Sequence, residues 1–319
     1  MKYLIILIVA IILDLIFGDP HSIPHPVVYI GKWISFLERN LRKIFKNNLY
    51  LAGFFLLVLT LCGVSVFILL IRFLTINIHP LMWDIICTYG IYTALAGKCL
   101  SNEVKRVLRL LKEKGIEESR GALSYLVGRD TKNLTEESVL KALLETTAEN
   151  TIDGVLAPMF YILVGFFLGY PLLIVYIYKA VNTLDSMVGY KQEPFLEIGF
   201  CSAKFDDVLN FIPARFGSIE MLIGSLFLKL PFKRGLKIFL RDRKNHKSPN
   251  SAHPESVVAG LLDIQLGGNN VYFGELVKKK TIGDNLDQIN HFKVKKTIQI
   301  MYASAMVQVV ISMILLLRW

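Results

Sequence analysis

Apolar residues in this chain fall in long unbroken runs rather than in alternation. Leu49–Ile71, Val155–Tyr178 and Ile298–Leu317 contain no Asp, Glu, Lys or Arg. Each is about the 20 residues a helix needs to cross a hydrocarbon core of roughly 30 Å. Tyr3–Phe17 is shorter and contains Asp14, Leu81–Gly97 contains Asp84, and Ala214–Leu230 carries Arg215 and Glu220. The first of these is followed by Gly-Asp-Pro rather than a small-residue cleavage site, so it reads as a retained helix and not a signal peptide. Val155–Tyr178 is interrupted at Pro158 and again at Gly169-Tyr170-Pro171. Two half-helices returning to one side are expected there, because non-helical backbone at membrane depth is tolerated where it lines a protein cavity.

Two polar stretches separate the apolar runs. In residues 98–150, Val104, Val107, Leu108 and Leu111 recur at helical spacing between charges, which predicts an amphipathic helix with stops at Gly115 and Gly128. Thr135 is placed to cap a further helix running through Glu149. Residues 229–296 form the second insertion. The pattern predicts an all-α, polytopic helical membrane protein, a single membrane domain over residues 1–319, with broken or re-entrant segments and two polar, mostly helical cytoplasmic insertions.

Composition agrees with that class. Hydrophobic residues make up 53% and charged residues 19% of the 319, against about 25% charged in an average soluble domain. The net charge of +10 is concentrated: Lys229–Lys247 holds eight Lys/Arg and a single acid, Asp242. Further basic groups stand at Lys278–Lys280 and Lys293–Lys296. Basic residues beside membrane segments mark cytoplasmic loops, so a multi-pass protein of the cell membrane with a cytoplasmic active face and lipid as its surroundings is expected. No aromatic-studded basic module is present, which argues against nucleic acid as a partner. Cys62, Cys87, Cys99 and Cys201 show no CxxC spacing and are expected as buried thiols.

Polar clusters at the margins of apolar segments carry the chemistry. Asp14 lies within the first helix, and Asp19, His21 and His25 follow directly. Glu145, Glu149 and Asp153 recur every four residues on one predicted helix face. Like charges so spaced repel by a few tenths of a kcal/mol, and three carboxylates together suit Mg²⁺ carrying phosphates; a solvated acidic face is the plainer alternative. Lys179, Asn182, Thr183 and Ser186 form a polar stripe after a long apolar run, with Asp185 beside it, and ionisable groups at membrane segments are functional candidates by default. Asp206, Asp207 and Arg215 form another group, equally readable as an interface ion pair.

The richest stretch is His246-Lys-Ser-Pro-Asn-Ser-Ala-His-Pro-Glu-Ser256. A proline is favoured at the first helical position, so a helix is expected to open at His253-Pro254. Its free N–H groups would then face the preceding loop, which suits an anion. Arg241, Arg243, Lys244 and Lys247 bring positive charge, and Ser248, Asn250 and Ser251 bring donors. His25-Pro26 and His79-Pro80 repeat the device, most plainly as helix openers. Four of the six histidines adjoin polar clusters, yet no pair has a zinc-ligand spacing. GxxxxGK[ST], GxGxxG and HExxH are absent, so any ATP is bound without a P-loop.

Six motifs in order, DLIFGDPHSIPHPV, ENTIDGVLAPMFY, YKAVNTLDSMVGYK, DDVLNFIPAR, RDRKNHKSPNSAHPES and the GGNNVYFGE stretch, resemble the CobD/CbiB family of cobalamin biosynthesis, the adenosylcobinamide-phosphate synthases. The resemblance covers nearly the whole chain. It implies ATP-dependent amide formation between adenosylcobyric acid and (R)-1-amino-2-propanol O-2-phosphate or a related amino alcohol, with Mg²⁺ and ATP as cofactors and other late cobalamin-pathway enzymes as partners. On that footing Mg²⁺ is expected at Glu145, Glu149 and Asp153, with Asp206 and Asp207 as alternatives. Phosphate and substrate contacts are expected at Arg241, Lys247, Ser248, Asn250, Asn182, Arg215, Asp19, His21 and His25. His253 or His246 is the expected base, with Lys179 and Asp185 supporting the chemistry. A transporter of a corrinoid or phosphorylated solute is the alternative that intramembrane Asp14, Lys179 and Asp185 would also serve.

Overall fold

Every long apolar run becomes helix. The computed structural model describes residues 1–20, 24–272 and 274–319; His21 lies outside the described residues. The chain begins with α1 (Lys2–Phe17), α2 (Pro26–Ile44), α3 (Leu49–Ile78) and α4 (Pro80–Ala94). His25 and His79 precede a proline at the first position of α2 and α4, and His79 Nδ1 accepts the Leu81 N–H at 3.1 Å. At these two sites the His-Pro pair opens a helix, as expected. The first polar stretch folds as α5 (Gly97–Glu113), α6 (Ile116–Leu123) and α7 (Glu136–Thr151). Val104, Val107, Leu108 and Leu111 are all buried on α5, Gly115 breaks the chain at φ 89°, and Thr135 caps α7 by accepting the Ser138 N–H at 3.3 Å.

Pro158 does not break its segment. Residues Ile152–Leu156 form a π-turn between α7 and α8 (Ala157–Leu168). A proline in a regular helix clashes with the carbonyl four residues back and donates nothing to it; a wider π-turn absorbs both defects. Gln308 donates Nε2 to the Leu156 carbonyl at 2.9 Å beside that turn. The second interruption is a real stop. Gly169 adopts φ 75° and the Tyr170 N–H returns to the Gly165 carbonyl at 2.8 Å, a left-handed cap that glycine accepts freely. Arg72 donates to the part-buried Gly169 carbonyl at 2.8 Å, and α9 (Pro171–Val188) restarts at the proline.

The remaining helices are α10 (Phe200–Leu209), α11 (Phe211–Phe227), α12 (Phe232–Asp242), α13 (Ala252–Leu262) and α14 (His291–Arg318). Among the described residues, Leu49–Ile78, Glu136–Leu168 and His291–Arg318 are long and apolar enough to cross a membrane. The chain is thus the helical membrane protein its pattern predicted. One feature was not expected: β1 (Gln265–Gly267) pairs with β4 (Thr281–Gly283), and β2 (Asn270–Tyr272) with β3 (Glu275–Val277), both antiparallel. None of the four cysteines is disulfide-bonded, and Cys62 is exposed where burial was expected.

Two compact units result, one from Met1–Ala96, Pro158–Leu209 and Ser312–Trp319, the other from Gly97–Ala157 and Asn210–Ile311. In the first, α3 packs on α2, α4 and α9, and α10 lies on α9. Tyr3 stacks on both Phe166 and Trp319, with ring centroids 4.7 and 5.9 Å away. The second unit is built around α13, every residue of which is buried. It packs on α12, α11 and α7 and against β1 and β4. The closest approach is α12 to α13, where a Cβ added at Gly260 would lie 2.9 Å from the Gly235 Cα and 2.8 Å from the Ile238 Cβ.

Candidate active site

The residues expected to act divide between the units. Asp19, His25, Lys179, Asn182, Asp185, Asp206 and Asp207 belong to the first, whereas Glu145, Glu149, Asp153, Arg215, Arg241, His246, Lys247, Ser248, Asn250 and His253 belong to the second. In the first unit, His25 Nε2 lies 3.5 Å from Asp19 Oδ1. Both line a small cleft, with room for about one water-sized molecule, together with Tyr89 and Tyr92. Asn182 on α9 donates Nδ2 to Asp206 Oδ1 on α10 at 3.4 Å, with Asp206 and Lys179 both buried.

In the second unit, Glu145 and Glu149 share a face of α7, and Asp153 falls in the π-turn beyond it. Glu145 is only 3% exposed and is spoken for: its Oε2 is ion-paired with Arg129, and its Oε1 accepts the Gly267 N–H at 2.8 Å. Arg129 in turn donates to Asn270 Oδ1 at 2.9 Å. Glu145 therefore ties α7 to the hairpins, a different task from the cation ligand expected of it. Among the described residues no group of three or more His, Cys, Asp or Glu is assembled to hold a metal ion. The expected carboxylate triad is not preformed.

An acid that the sequence pattern did not single out joins this flank. Glu255, in the first turn of α13, is 4% exposed, and its Oε2 has no hydrogen-bond partner. Burial, and then the charges of Glu149 and Glu145, push its carboxyl well above the usual range against the pull of Lys279 and Arg129. Lys279 comes from the loop between β3 and β4, and the sequence marked it only as one of the basic group Lys278–Lys280. Its Nζ stands 3.1 Å from the Tyr272 hydroxyl and 3.1 Å from His246 Nε2. Burial lowers the Lys279 ammonium, but the Tyr272 phenol and the charges of Glu149 and Glu255 more than offset this. His246 also accepts the Ser248 N–H at Nδ1, 3.0 Å away.

The opposite flank of α13 is basic. The helix starts at Ala252 with Ser251 before it, two residues earlier than the His253 opening expected. Pro254 still lies in the first turn, where its missing N–H leaves no bond broken. His253 is 4% exposed, packs edge-on against Phe239 at 5.6 Å, and leaves Nδ1 without a partner. Such an orphaned buried atom costs about 1–3 kcal/mol. Burial first, then the charges of Arg215, Arg243 and Lys244, lowers the His253 imidazole to about 4. It is neutral throughout the physiological range. Arg215 stacks on the Phe211 ring at 3.4 Å and donates to Asn250 Oδ1 at 3.3 Å.

Arg241, expected on a phosphate, is committed elsewhere. Its Nε and Nη2 donate to the two oxygens of Asp242, both at 2.8 Å, and Nη2 also meets Asp284 at 2.8 Å. Asp242 further accepts the Gly283 N–H at 2.7 Å, so the pair anchors β4 to α12. Lys247 is exposed, and the Asn250 N–H bonds the Ser248 hydroxyl oxygen at 3.2 Å within the loop. The first turn of α13 thus separates an acidic flank of Glu149 and Glu255 from a basic one of Arg215, Arg243, Lys244 and His253.

Residues 7–301 match the profile of the CobD/CbiB protein family. Among curated relatives, a cobalamin biosynthesis protein CobD of Clostridium tetani is 46% identical over 97% of this chain and 96% of its own. One of Clostridium perfringens is 46% identical with the same coverage. One of Listeria monocytogenes is 45% identical over 95% of each. No solved structure matches.

Proposed function

The chain belongs to the CobD/CbiB family of cobalamin biosynthesis, and from that premise we propose that it is an adenosylcobinamide-phosphate synthase. It joins the f side-chain carboxylate of adenosylcobyric acid to (R)-1-amino-2-propanol O-2-phosphate or a related amino alcohol, with ATP consumed. The observation that carries this is the two-signed site at the first turn of α13. There, buried polar atoms on Glu255 and His253 have no hydrogen-bond partner.

A carboxylate must be activated before an amine displaces its oxygen. The γ-phosphoryl group passes to the f carboxylate with release of ADP. The amine nitrogen then attacks the carbonyl carbon, the C–O bond to phosphate breaks, and phosphate departs with a proton from the amine. Such transfers are governed by positioning and by neutralising phosphate charge. Mg²⁺ needs only one or two protein carboxylates when phosphates complete its shell. Glu149 would supply one, and the unpartnered Oε2 of Glu255 would be the second. When bound, the ion would neutralise charge on the nucleotide's phosphates. Lys279 balances the acids, and His253, neutral and unpartnered at Nδ1, serves as a hydrogen-bonding group rather than a base.

Purified protein in detergent, given adenosylcobyric acid, the amino alcohol phosphate and Mg-ATP, is expected to yield adenosylcobinamide phosphate by mass spectrometry, with ADP. Sealed vesicles that accumulate corrinoid while nucleotide stays intact would replace the synthase by a transporter.

A further inference from the structure

Two different phosphates enter the proposed reaction, and the structure offers two electrostatically different places for them. We propose that the first turn of α13 sorts them: the acidic flank takes the metal-bound phosphates of the nucleotide, and the basic flank of Arg215, Arg243, Lys244 and His253 takes the metal-free phosphate monoester of the amino alcohol. This rests on the synthase reading above.

A nucleotide tail travels with a divalent cation, and a divalent cation needs carboxylate. Glu149 lies on α7, which packs against α13, and Glu255 in the first turn of α13 is buried with Oε2 lacking a partner. A phosphate monoester is a compact dianion without such a cation and needs fixed positive charge and donors. Arg243 lies over the Phe239 ring at 5.5 Å, that ring packs edge-on against His253 at 5.6 Å, and Arg215 reaches Asn250 in the loop just before α13 at 3.3 Å. Arg215 and Arg243 are also near enough to repel one another. Cations gathered beside a buried imidazole, with Nδ1 lacking a partner at 4% exposure, mark a place prepared for an anion. Arg241 and Asp242 contrast with this on the same stretch of chain, since their charges are already mutually satisfied. The consequence is specificity: the amino alcohol is selected in its phosphorylated form by residues that do not contact the nucleotide.

The test compares (R)-1-amino-2-propanol O-2-phosphate with the free amino alcohol, using full-length protein at saturating adenosylcobyric acid. For Arg243→Gln, and for Arg243→Gln combined with Lys244→Gln, the ratio of kcat/KM for the phosphorylated over the free substrate should fall about 10- to 100-fold per lost charge-assisted contact. The KM for ATP should move less than about twofold, taking the additivity of distant sites as the standard. A risen KM for ATP with the ratio intact would overturn the sorting, as would equal losses on both amino alcohols. A second measurement needs no turnover: with EDTA and no nucleotide, the amino alcohol phosphate should raise the unfolding temperature of the wild type but not of Arg243→Gln. Binding that requires Mg²⁺ would overturn the proposal. Metal-free binding seen without amide synthesis would instead remove the synthase reading and leave the anion site standing.

Discussion

Removing Glu145 should damage the fold before it damages the chemistry. The side chain is buried, its carboxylate is paired with Arg129, and it accepts the Gly267 N–H at 2.8 Å. Arg129 has a side chain only 10% exposed, so Glu145→Ala strands a guanidinium in low dielectric. Breaking one partner of such a pair costs about 3–5 kcal/mol, whereas replacing both by apolar groups is often neutral. Glu145→Ala should therefore lower the unfolding free energy by about that amount, and Glu145→Leu with Arg129→Met should recover most of it. Denaturant titration in detergent micelles, followed by tryptophan fluorescence, reads both. Wild-type stability in Glu145→Ala, with loss of Mg²⁺-dependent turnover alone, would refute the structural assignment and return Glu145 to the cation site.

Other consequences follow from neighbouring contacts. Glu149→Gln should lower turnover at least about 100-fold, as for loss of a group stabilising transferred charge, with an unchanged unfolding midpoint; equal loss of stability would mark it as structural. Burial pushes Asp242 up, but the bonds from Arg241 and the Gly283 amide and the charge of Arg241 outweigh it, so its carboxyl titrates below the ordinary range. The stability it adds is present above the ordinary carboxylate value of about 3.9 and is lost as pH falls from there through the folded value. Asp242→Asn should thus cost about 1–3 kcal/mol at pH 7 and flatten the acid limb of the stability profile; an unaltered limb would contradict this. Gly260→Val forces α12 away from α13, where the added Cβ alone would stand 2.9 Å from the Gly235 Cα, at a cost of about 3 kcal/mol; wild-type stability there would contradict the close crossing.

Periodicity revealed the helices because their signals are local. The buried stripe of α5 and the Thr135 cap followed from spacing alone, as did the stop at Gly169-Tyr170-Pro171. Pro158 misled because proline's defect was absorbed in a π-turn, an outcome its sequence does not announce. The three-residue strands are too short for alternation to register. Arg241 carries the same charge as Arg243, and what separates them is Asp284, some forty residues on, which only folding brings to Arg241. Glu255 carries no signal of its own in the sequence, because a single acid at a helix start is commonplace. Its partners Glu149 and Lys279 come from distant segments. The motifs thus supplied candidate residues, whereas contacts such as Glu145 with Arg129 and Arg241 with Asp284 appear only in the fold.

The central claim is that carboxylate activation and amide formation occur on this chain. The most direct measurement uses adenosylcobyric acid labelled with ¹⁸O in the f carboxylate, incubated with purified protein, the amino alcohol phosphate and Mg-ATP. The account predicts one ADP and one phosphate per adenosylcobinamide phosphate, with one ¹⁸O carried from the carboxylate into that phosphate. Amide formed without label in the phosphate, or nucleotide left intact, would contradict it.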